Sequence, residues 1–297
     1  MTKKILVLGA CGFVGRRMVE RLGPDAVLGT YFRQPRADGL YFDALTQDLG
    51  AIIPDPRAIR HAMIFYGDTH PDSCASDPAR SHALNVESTA RVIDRLVDWD
   101  IPFTFTSSES VFDGSRHLST ERDIANPIML YGRQKLLIEH YLATVHPAAR
   151  WTVMRLGKVY GDSADNDKLF TGWIEAVLAG RLIRIATDQI FSPVFVDDVV
   201  GACVAAADRG LTGLYHLCGP RAYARDELLR MLLDELGRHR TIDPRVEPCS
   251  IDDFNLPEPR PKDVSMRPDK LVKALGFTLT PAEDICRKVV LNYLSRP

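Results

Sequence analysis

The glycine pattern GACGFVG, residues 9–15, is the feature that most restricts the fold. It follows the apolar run KKILVLG, residues 3–9, and leads into an amphipathic segment, residues 13–22, that ends at Gly23 and Pro24. A glycine turn between a buried strand and a helix is typical of dinucleotide-binding sheets, because backbone without Cβ lets a pyrophosphate approach the helix N-terminus. Taken alone, three glycines fit a purely structural turn equally well.

Short apolar runs alternate with longer helical segments through the first half of the chain, which predicts an α/β fold. We expect a Rossmann-type doubly wound parallel sheet with a smaller C-terminal substrate-binding domain. The dinucleotide-binding domain is assigned to residues 1–155, with a return near 190–215, and the substrate-binding domain mainly to 156–297. The predicted strands are residues 3–9, 26–32, 61–66, 102–107, 151–156 and 214–218, and the predicted helices are residues 13–22, 78–99, 128–145, 168–180, 197–209, 224–236 and 283–294.

Composition excludes several classes of protein. The 297 residues are 45% apolar and 26% charged, as in ordinary globular proteins, and the net charge of -2 without basic clusters argues against nucleic acid or anionic membrane as a partner. No apolar run approaches the roughly 20 residues that span a bilayer, so we expect a cytoplasmic protein without membrane contact. Six separated cysteines without a CxxC pair indicate neither a zinc site nor disulfides, and no metal is expected.

The residues after the second predicted strand bear on the choice of cofactor. NAD-binding chains commonly place a carboxylate there to bind the ribose hydroxyls, but this strand continues as TYFRQPR, residues 30–36. Arg33 and Arg36 could instead pair with a 2'-phosphate. NADP(H) is therefore preferred, and NAD(H) stays open. The alternative is that both arginines are solvated surface charges.

A tyrosine and a lysine lie four residues apart in the segment YGRQK, residues 131–135. On a helix Tyr131 and Lys135 share one face, and a nearby ammonium is expected to lower the phenol pKa from its usual value of about 10. Ser108 directly follows the predicted strand 102–107, at the same edge of the sheet as the glycine turn, and can donate to a carbonyl oxygen. Ser107 is expected only to satisfy loop backbone. Because YxxxK also occurs by chance on amphipathic helices, the spacing alone is weak.

Six motifs occur in a fixed order: GACGFVG, SSESVFDG, YGRQK, DQIFSP, LYHLCG and RPKDVSM. In this order the chain resembles the extended short-chain dehydrogenase/reductases, in particular the dTDP-4-dehydrorhamnose reductase branch, over nearly its whole length. The resemblance implies NAD(P)H as cofactor and a nucleotide-linked 4-keto-6-deoxysugar as substrate. Ser108, Tyr131 and Lys135 match the catalytic Ser/Thr, Tyr and Lys of that family, and Lys135 would also hold the nicotinamide ribose.

The remaining site residues are expected from the glycine turn and from this resemblance. The cofactor set is Gly9, Gly12, Phe13, Val14, Gly15, Arg33, Asp43, Tyr66, Gly67, Tyr131 and Lys135, and the substrate set is Ser108, Glu109, Ser110, Lys158, Gln189 and Arg260. For several of these a structural role is an alternative: Tyr66 in the core, Asp43 as an N-cap, and Gln189 and Arg260 at the surface. Asn85, in the middle of a predicted helix, matches a family position that braces the catalytic strand.

Two positions depart from the resemblance. Many rhamnose reductases have an aromatic residue where this chain has Ser110, and a Trp where it has Lys158, so dTDP-4-dehydrorhamnose is only one candidate substrate. Glu109 is followed by Ser110 rather than by the second carboxylate of related dehydratases, which argues against dehydration.

Two other functions stay open at this point. One is a sugar-nucleotide epimerase, which recycles tightly held NAD⁺. The other is an NADP-binding regulatory subunit like the methionine adenosyltransferase β subunit, which keeps similar motifs. The expected partners are a nucleotide-sugar and, for assembly, a second copy of the chain in a homodimer.

Overall fold

A seven-stranded parallel sheet forms the centre of the molecule. The structure is a computed structural model that describes residues 3–35, 39–162 and 169–295. Its strands, in chain order, are β1 (Lys4–Leu8), β2 (Val27–Tyr31), β3 (Gly39–Tyr41), β4 (Ile59–Ile64), β5 (Phe103–Ser108), β6 (Trp151–Leu156), β7 (Val159–Tyr160), β8 (Ile183–Ala186), β9 (Ile190–Phe191), β10 (Val194–Phe195), β11 (Gly213–Leu217), β12 (Tyr223–Ala224) and β13 (Val246–Cys249). The sheet order is β11-β6-β5-β4-β1-β2-β3, which confirms the predicted α/β class.

Helices cover both faces of this sheet, and further helices form a second body of apolar packing. They are α1 (Phe13–Leu22), α2 (Leu49–Ile52), α3 (Pro71–Ser76), α4 (Pro78–His82), α5 (Ser88–Asp98), α6 (Leu130–Val145), α7 (Phe170–Leu178), α8 (Val196–Asp208), α9 (Arg225–His239), α10 (Asp269–Leu275) and α11 (Ala282–Leu294). A π-helical segment, Ala83–Glu87, joins α4 to α5. The predicted helix 78–99 is therefore three consecutive pieces.

Alternation along the strands assigns the two faces. In β1, Ile5 and Val7 pack with α1, α8 and α10, whereas Leu6 and Leu8 pack with α2, α5 and α6. A third apolar cluster contains α7, α9 and α11 and lies in the part of the chain assigned to the smaller domain. In chain order, α8 and β11 come between α7 and α9, but α8 packs on the central sheet and β11 is one of its strands. The chain therefore returns to the central sheet once. The two-domain boundaries themselves stay a prediction.

Several short elements have no counterpart among the predicted strands and helices. They include β3, with only three residues, and α10, which directly follows the Pro-rich loop 258–268. Neither is long enough to show a strand or helix periodicity. The long strands and helices are found close to their predicted limits, because their periodicity is set by one buried face.

A polar network is buried beneath the carboxyl ends of β5 and β6. Arg155 of β6 donates from Nε and Nη2 to the Glu139 carboxylate of α6, at 3.0 and 2.6 Å, and both side chains are at most 7% exposed. Ser107 Oγ donates to Glu139 Oε1 at 2.5 Å. The expectation that Ser107 only satisfies loop backbone is therefore wrong, because its hydroxyl donates to a carboxylate that is almost fully buried.

Three further observations concern the described ranges. No helix there is long and apolar enough to cross a bilayer. Within the same ranges, no group of three or more His, Cys, Asp or Glu side chains could hold a metal ion. All six cysteines have free thiols, and four of them are buried: Cys74, Cys203, Cys218 and Cys286.

Glu139→Ala should lower the free energy of unfolding by about 3–5 kcal/mol, because it leaves the Arg155 guanidinium buried without its counter-charge. Chemical denaturation would measure this. Glu247→Ala is the matched control, since its ion pair with Arg184 is exposed and should contribute at most about 1 kcal/mol. Equal effects of the two substitutions would contradict the buried-pair interpretation.

Candidate active site

The glycine turn provides a helix N-terminus that no side chain covers. Gly12 is the N-cap of α1, makes no side-chain cap bond, and no acidic residue follows in the first turn. Gly9 has φ +90°, and a Cβ there would lie 2.8 Å from the backbone nitrogen of Tyr66. A Cβ at Gly15 would overlap the carbonyl oxygen of Gly9. Gly9 and Gly15 are thus needed for close backbone packing, whereas a Cβ at Gly12 would lie 3.4 Å from the carbonyl oxygen of Gly9, an ordinary contact. The first-turn amides stay available to an anion.

Phe13 and Val14 open α1, and their side chains pack inward. Both are half-buried against the third apolar cluster, and a Cβ at Gly161 would lie 2.8 Å from the Phe13 ring. Only the backbone amides of these two residues remain to meet a phosphate. Their predicted contact with a cofactor is therefore a main-chain contact.

The residues expected to bind the adenosine half of the cofactor are exposed or contact neighbours in the chain. The Arg33 guanidinium lies 5.8 Å from the centroid of the exposed Phe32 ring. Arg36 falls outside the described residues. Asp43 accepts from Leu45 N at 3.0 Å, so it caps a turn rather than a helix. Its place near the adenine stays a prediction.

Tyr66 points into the core. Its hydroxyl is 3.1 Å from Ser88 Oγ, its ring packs edge-on against Phe42, and burial raises the pKa of the phenol. The core alternative is therefore the better interpretation of this side chain. Gly67 follows with φ +141°, and a Cβ there would lie 2.9 Å from Asn85 Oδ1. The loop after β4 thus approaches the π-helical segment Ala83–Glu87 only because this position is glycine.

Asn85 fastens that loop to α6. Its Oδ1 accepts from Asp68 N at 2.8 Å, and its Nδ2 donates to Asp68 O at 2.9 Å and to Gln134 Oε1 at 2.7 Å. Asn85 lies in the π-helical segment, where the wider turn directs it inward. A poor helix former in mid-helix therefore has a structural partner at every polar atom of its side chain.

Ser108, Tyr131 and Lys135 come together at the carboxyl end of β5. Tyr131 and Lys135 are buried on α6, at 8% and 5% exposure, and a side-chain hydrogen bond joins Tyr131 to Ser108. Lys135 Nζ donates to the carbonyl of Thr106 at 2.9 Å and lies 5.7 Å from the centroid of the Tyr131 ring. Ser108 Oγ also accepts from Ser110 N at 3.1 Å. The three predicted groups form one cluster.

Burial controls the titration of this cluster. It raises the pKa of Tyr131, and the hydrogen bond from Ser108 offsets only part of that rise. Burial also lowers the pKa of Lys135 to about 8. The expectation that Lys135 lowers the Tyr131 pKa is therefore wrong in direction. Burial destabilises the phenolate by more than a neighbouring ammonium stabilises it, so the pKa rises.

A cavity of about 310 Å³ opens beside this cluster and collects most of the predicted substrate residues. Its lining includes Glu109, Ser110, Lys158, Gln189 and Arg260. Sequence reasoning missed other lining residues, among them Asp72, Met129, Phe191, Arg225 and Phe254. They come from five separate segments, and no local pattern indicates that those segments meet.

Two arginines of the cavity wall are held in place by other side chains. Arg225 donates to Gln189 Oε1 at 2.8 Å, and burial lowers the pKa of its guanidinium. Arg260 forms an ion pair with Asp72, and its side chain is only 12% exposed. The surface alternatives for Gln189 and Arg260 are therefore disfavoured, since both residues are partly buried and line the cavity.

Glu109 is a carboxyl group with an unusual pKa. It is half-buried and accepts from the backbone N–H of Lys158 at 3.0 Å. Burial raises its pKa to about 8, although the Lys158 ammonium and that hydrogen bond act in the opposite direction. Near pH 7 most Glu109 side chains therefore carry a proton and can donate a hydrogen bond.

The sequence is similar to those of known reductases and matches one protein family over nearly its whole length. The family described as RmlD substrate binding domain matches residues 3–294. The chain belongs to this family. A probable low-salt glycan biosynthesis reductase, Agl14, of Haloferax volcanii is 27% identical over 287 residues, 94% of each chain. A dTDP-4-dehydrorhamnose reductase of Mycolicibacterium smegmatis is 28% identical over 300 residues, 96% of this chain and 83% of the relative.

Two further similarities concern part of the chain and its fold. Methionine adenosyltransferase 2 subunit beta of Xenopus tropicalis is 26% identical over 244 residues, 78% of this chain and 72% of the relative. The crystal structure of a Bacillus anthracis dTDP-4-dehydrorhamnose reductase in complex with NADP superposes with a TM-score of 0.80 at 18% identity, covering 98% of this chain and 99% of that one. The second similarity confirms the Rossmann-type fold.

Glu109 should titrate near its raised pKa of about 8 in an NMR experiment that observes the side-chain carboxyl carbon. The unfolded chain releases this proton near pH 4.3, so the free energy of unfolding should fall as pH rises from about 4.3 towards 8. Glu109→Gln should remove that part of the pH dependence. A carboxyl that titrates near its ordinary value of about 4.3 would contradict the burial argument.

Proposed function

We propose that this protein is an NAD(P)H-dependent reductase of a nucleotide-linked keto sugar, of the 4-keto-6-deoxy class. The observation that carries the proposal is the cluster of Ser108, Tyr131 and Lys135 at the carboxyl end of β5, whose chain neighbours Glu109 and Met129 line the cavity. The relatives named as reductases, which match 94% and 96% of this chain, support it. Proton-donating groups therefore lie where a dinucleotide and a sugar would meet.

The glycine turn fits a dinucleotide phosphate. A Cβ at Gly9 or Gly15 would collide with backbone, and α1 begins without a capping side chain, so main-chain amides alone would hold the pyrophosphate. Lys135 would hold the nicotinamide ribose. When bound, the cofactor supplies the hydride that reduces the ketone.

The protonation state of Tyr131 suits reduction. A phenol whose pKa is raised by burial is fully protonated near neutrality, so it can give a proton to the ketone oxygen as negative charge develops there. Ser108 donates a hydrogen bond to the same oxygen, as an oxyanion donor. The cationic Lys135 ammonium lies 5.7 Å from the Tyr131 ring and stabilises the phenolate left after proton transfer.

The cavity suits an anionic sugar derivative. Lys158, Arg225 and Arg260 supply guanidinium and ammonium groups to its wall, which favour phosphate oxygens. Glu109, as a neutral carboxylic acid, adds a hydrogen-bond donor for a sugar hydroxyl without adding negative charge. These residues would bind the phosphates and a hydroxyl of the substrate. An assay with a panel of sugar nucleotides would identify the nucleotide base and the sugar stereochemistry.

The alternatives have less support. An epimerase begins by oxidising its substrate and needs Tyr131 as a base, which a raised pKa disfavours. A regulatory subunit is favoured only by similarity to methionine adenosyltransferase 2 subunit beta. A homodimer stays a prediction that light scattering would check.

The test is NADPH consumption with a panel of enzymatically generated 4-keto-6-deoxy sugar nucleotides. At least one should be reduced, and Tyr131→Phe should lower kcat by about 10²- to 10⁴-fold while NADPH still binds. Tyr141→Phe is the matched control, because Tyr141 lies on the same helix but bonds to Asp94. No reduction across the panel, together with co-purification of another enzyme, would favour the regulatory alternative.

Arg33→Ala tests the preference for NADPH. If the guanidinium binds the 2'-phosphate, the ratio of kcat/KM for NADPH to that for NADH should fall about ten- to hundredfold, since such a charged hydrogen bond contributes about 1.5–3 kcal/mol. Arg57→Ala, which removes another exposed arginine, should leave the ratio unchanged. An unchanged ratio in Arg33→Ala would overturn the assignment.

A further inference from the structure

The helix that carries Tyr131 does not cap its own N-terminus. The N-cap of α6 is Met129, which makes no side-chain cap bond, and the first turn contains no acidic residue. The amide of Leu130 donates instead to both carboxylate oxygens of Glu258, at 3.0 and 3.2 Å. This carboxylate comes from a loop 128 residues later in the chain.

That loop also forms part of the cavity wall. Residues 254–261, the strap loop, contribute Phe254, Leu256, Arg260 and Pro261 to the lining. Arg260 lies 3.5 Å from Met129 Sδ through Nη1 and pairs with Asp72 through Nη2. The strap loop therefore holds Met129 and Leu130, the two residues immediately before Tyr131, from the side where the cavity lies.

The opposite side of the first turn is fixed by backbone packing. A Cβ at Gly132 would overlap the carbonyl oxygen of Ser110, two residues after Ser108. The start of α6 thus lies between the turn that follows β5 and the strap loop. If the strap contact is removed, only one of these two supports remains, and the first turn of a helix opens most easily.

We propose that Glu258 is a positioning residue that holds Tyr131 in line with Ser108 by capping the first turn of α6. Its effect on turnover rests on the proposed reductase function. Glu258 acts through the Leu130 amide and does not touch the reacting atoms. Because the Leu130 amide is one of those that a helix leaves without an intrahelical partner, the hydrogen bond from Leu130 to Glu258 orders the first turn as well as locating it.

The test compares Glu258→Ala, Glu258→Gln and the control Glu247→Ala, an exposed acid of β13 that pairs with Arg184. With a reduced sugar nucleotide, Glu258→Ala should lower kcat roughly ten- to hundredfold with little change in KM, because a small displacement of a catalytic group costs rate rather than binding. Glu258→Gln keeps an acceptor oxygen and should recover most of kcat. Glu247→Ala should match the wild type.

Hydrogen exchange supplies a second readout that needs no substrate. In Glu258→Ala, peptides covering residues 130–135 should exchange faster, while peptides from β1 and α8 should not change. If no sugar nucleotide is reduced, the proposed function fails, and the exchange result still decides the positioning role. Should Glu258→Ala not fold, Glu258→Met replaces it, since it keeps the length of the side chain but has no carboxylate to accept from the Leu130 amide.

Three results would overturn the proposal. One is an unchanged kcat in Glu258→Ala with unchanged exchange at residues 130–135. Another is a rise in KM alone, which would make Glu258 part of the substrate wall only. The third is a Glu258→Gln variant as slow as Glu258→Ala, which would show that negative charge, and not the hydrogen bond to Leu130, is what matters.

Discussion

The structure depends on how one helix is fastened to one strand. Three side chains of α6, spaced four residues apart, meet three consecutive residues of β5: Tyr131 bonds to Ser108, Lys135 donates to the Thr106 carbonyl, and Glu139 accepts from Ser107. The three side chains of α6 are buried and Ser108 is partly buried, so a slip of either element would leave several polar atoms unpaired at once. The chemistry of the site and the stability of the core therefore share one set of contacts.

Much of this arrangement can be predicted from sequence because it is local or periodic. Gly9 and Gly15 indicate a close strand-to-helix turn, and the four-residue spacing of Tyr131 and Lys135 places both on one face of a helix. The position of Ser108 at the end of a strand adds the third group, since parallel strands end at one edge of the sheet. These inferences need no knowledge of distant contacts.

The sequence does not show how deeply the ionisable side chains of the site are buried. The spacing of Tyr131 and Lys135 suggests a lowered phenol pKa only if both remain near water, and burial reverses the direction. The raised pKa of Glu109 likewise depends on the surrounding fold. Arg225 and Glu258 were missed for a related reason: each reaches its partner across a long separation in sequence, and nothing in the flanking residues indicates that partner.

The π-helical segment Ala83–Glu87 has a consequence for how the site tolerates changes in chain length. Each residue of an α-helix advances the direction of the side chain by about 100°. Asn85 lies inside the wider turn, where its amide meets Asp68 and Gln134. Deleting a single residue from this turn would rotate the Asn85 amide away from Asp68 and Gln134. The deletion would break these hydrogen bonds although Asn85 itself and all the predicted site residues are still present.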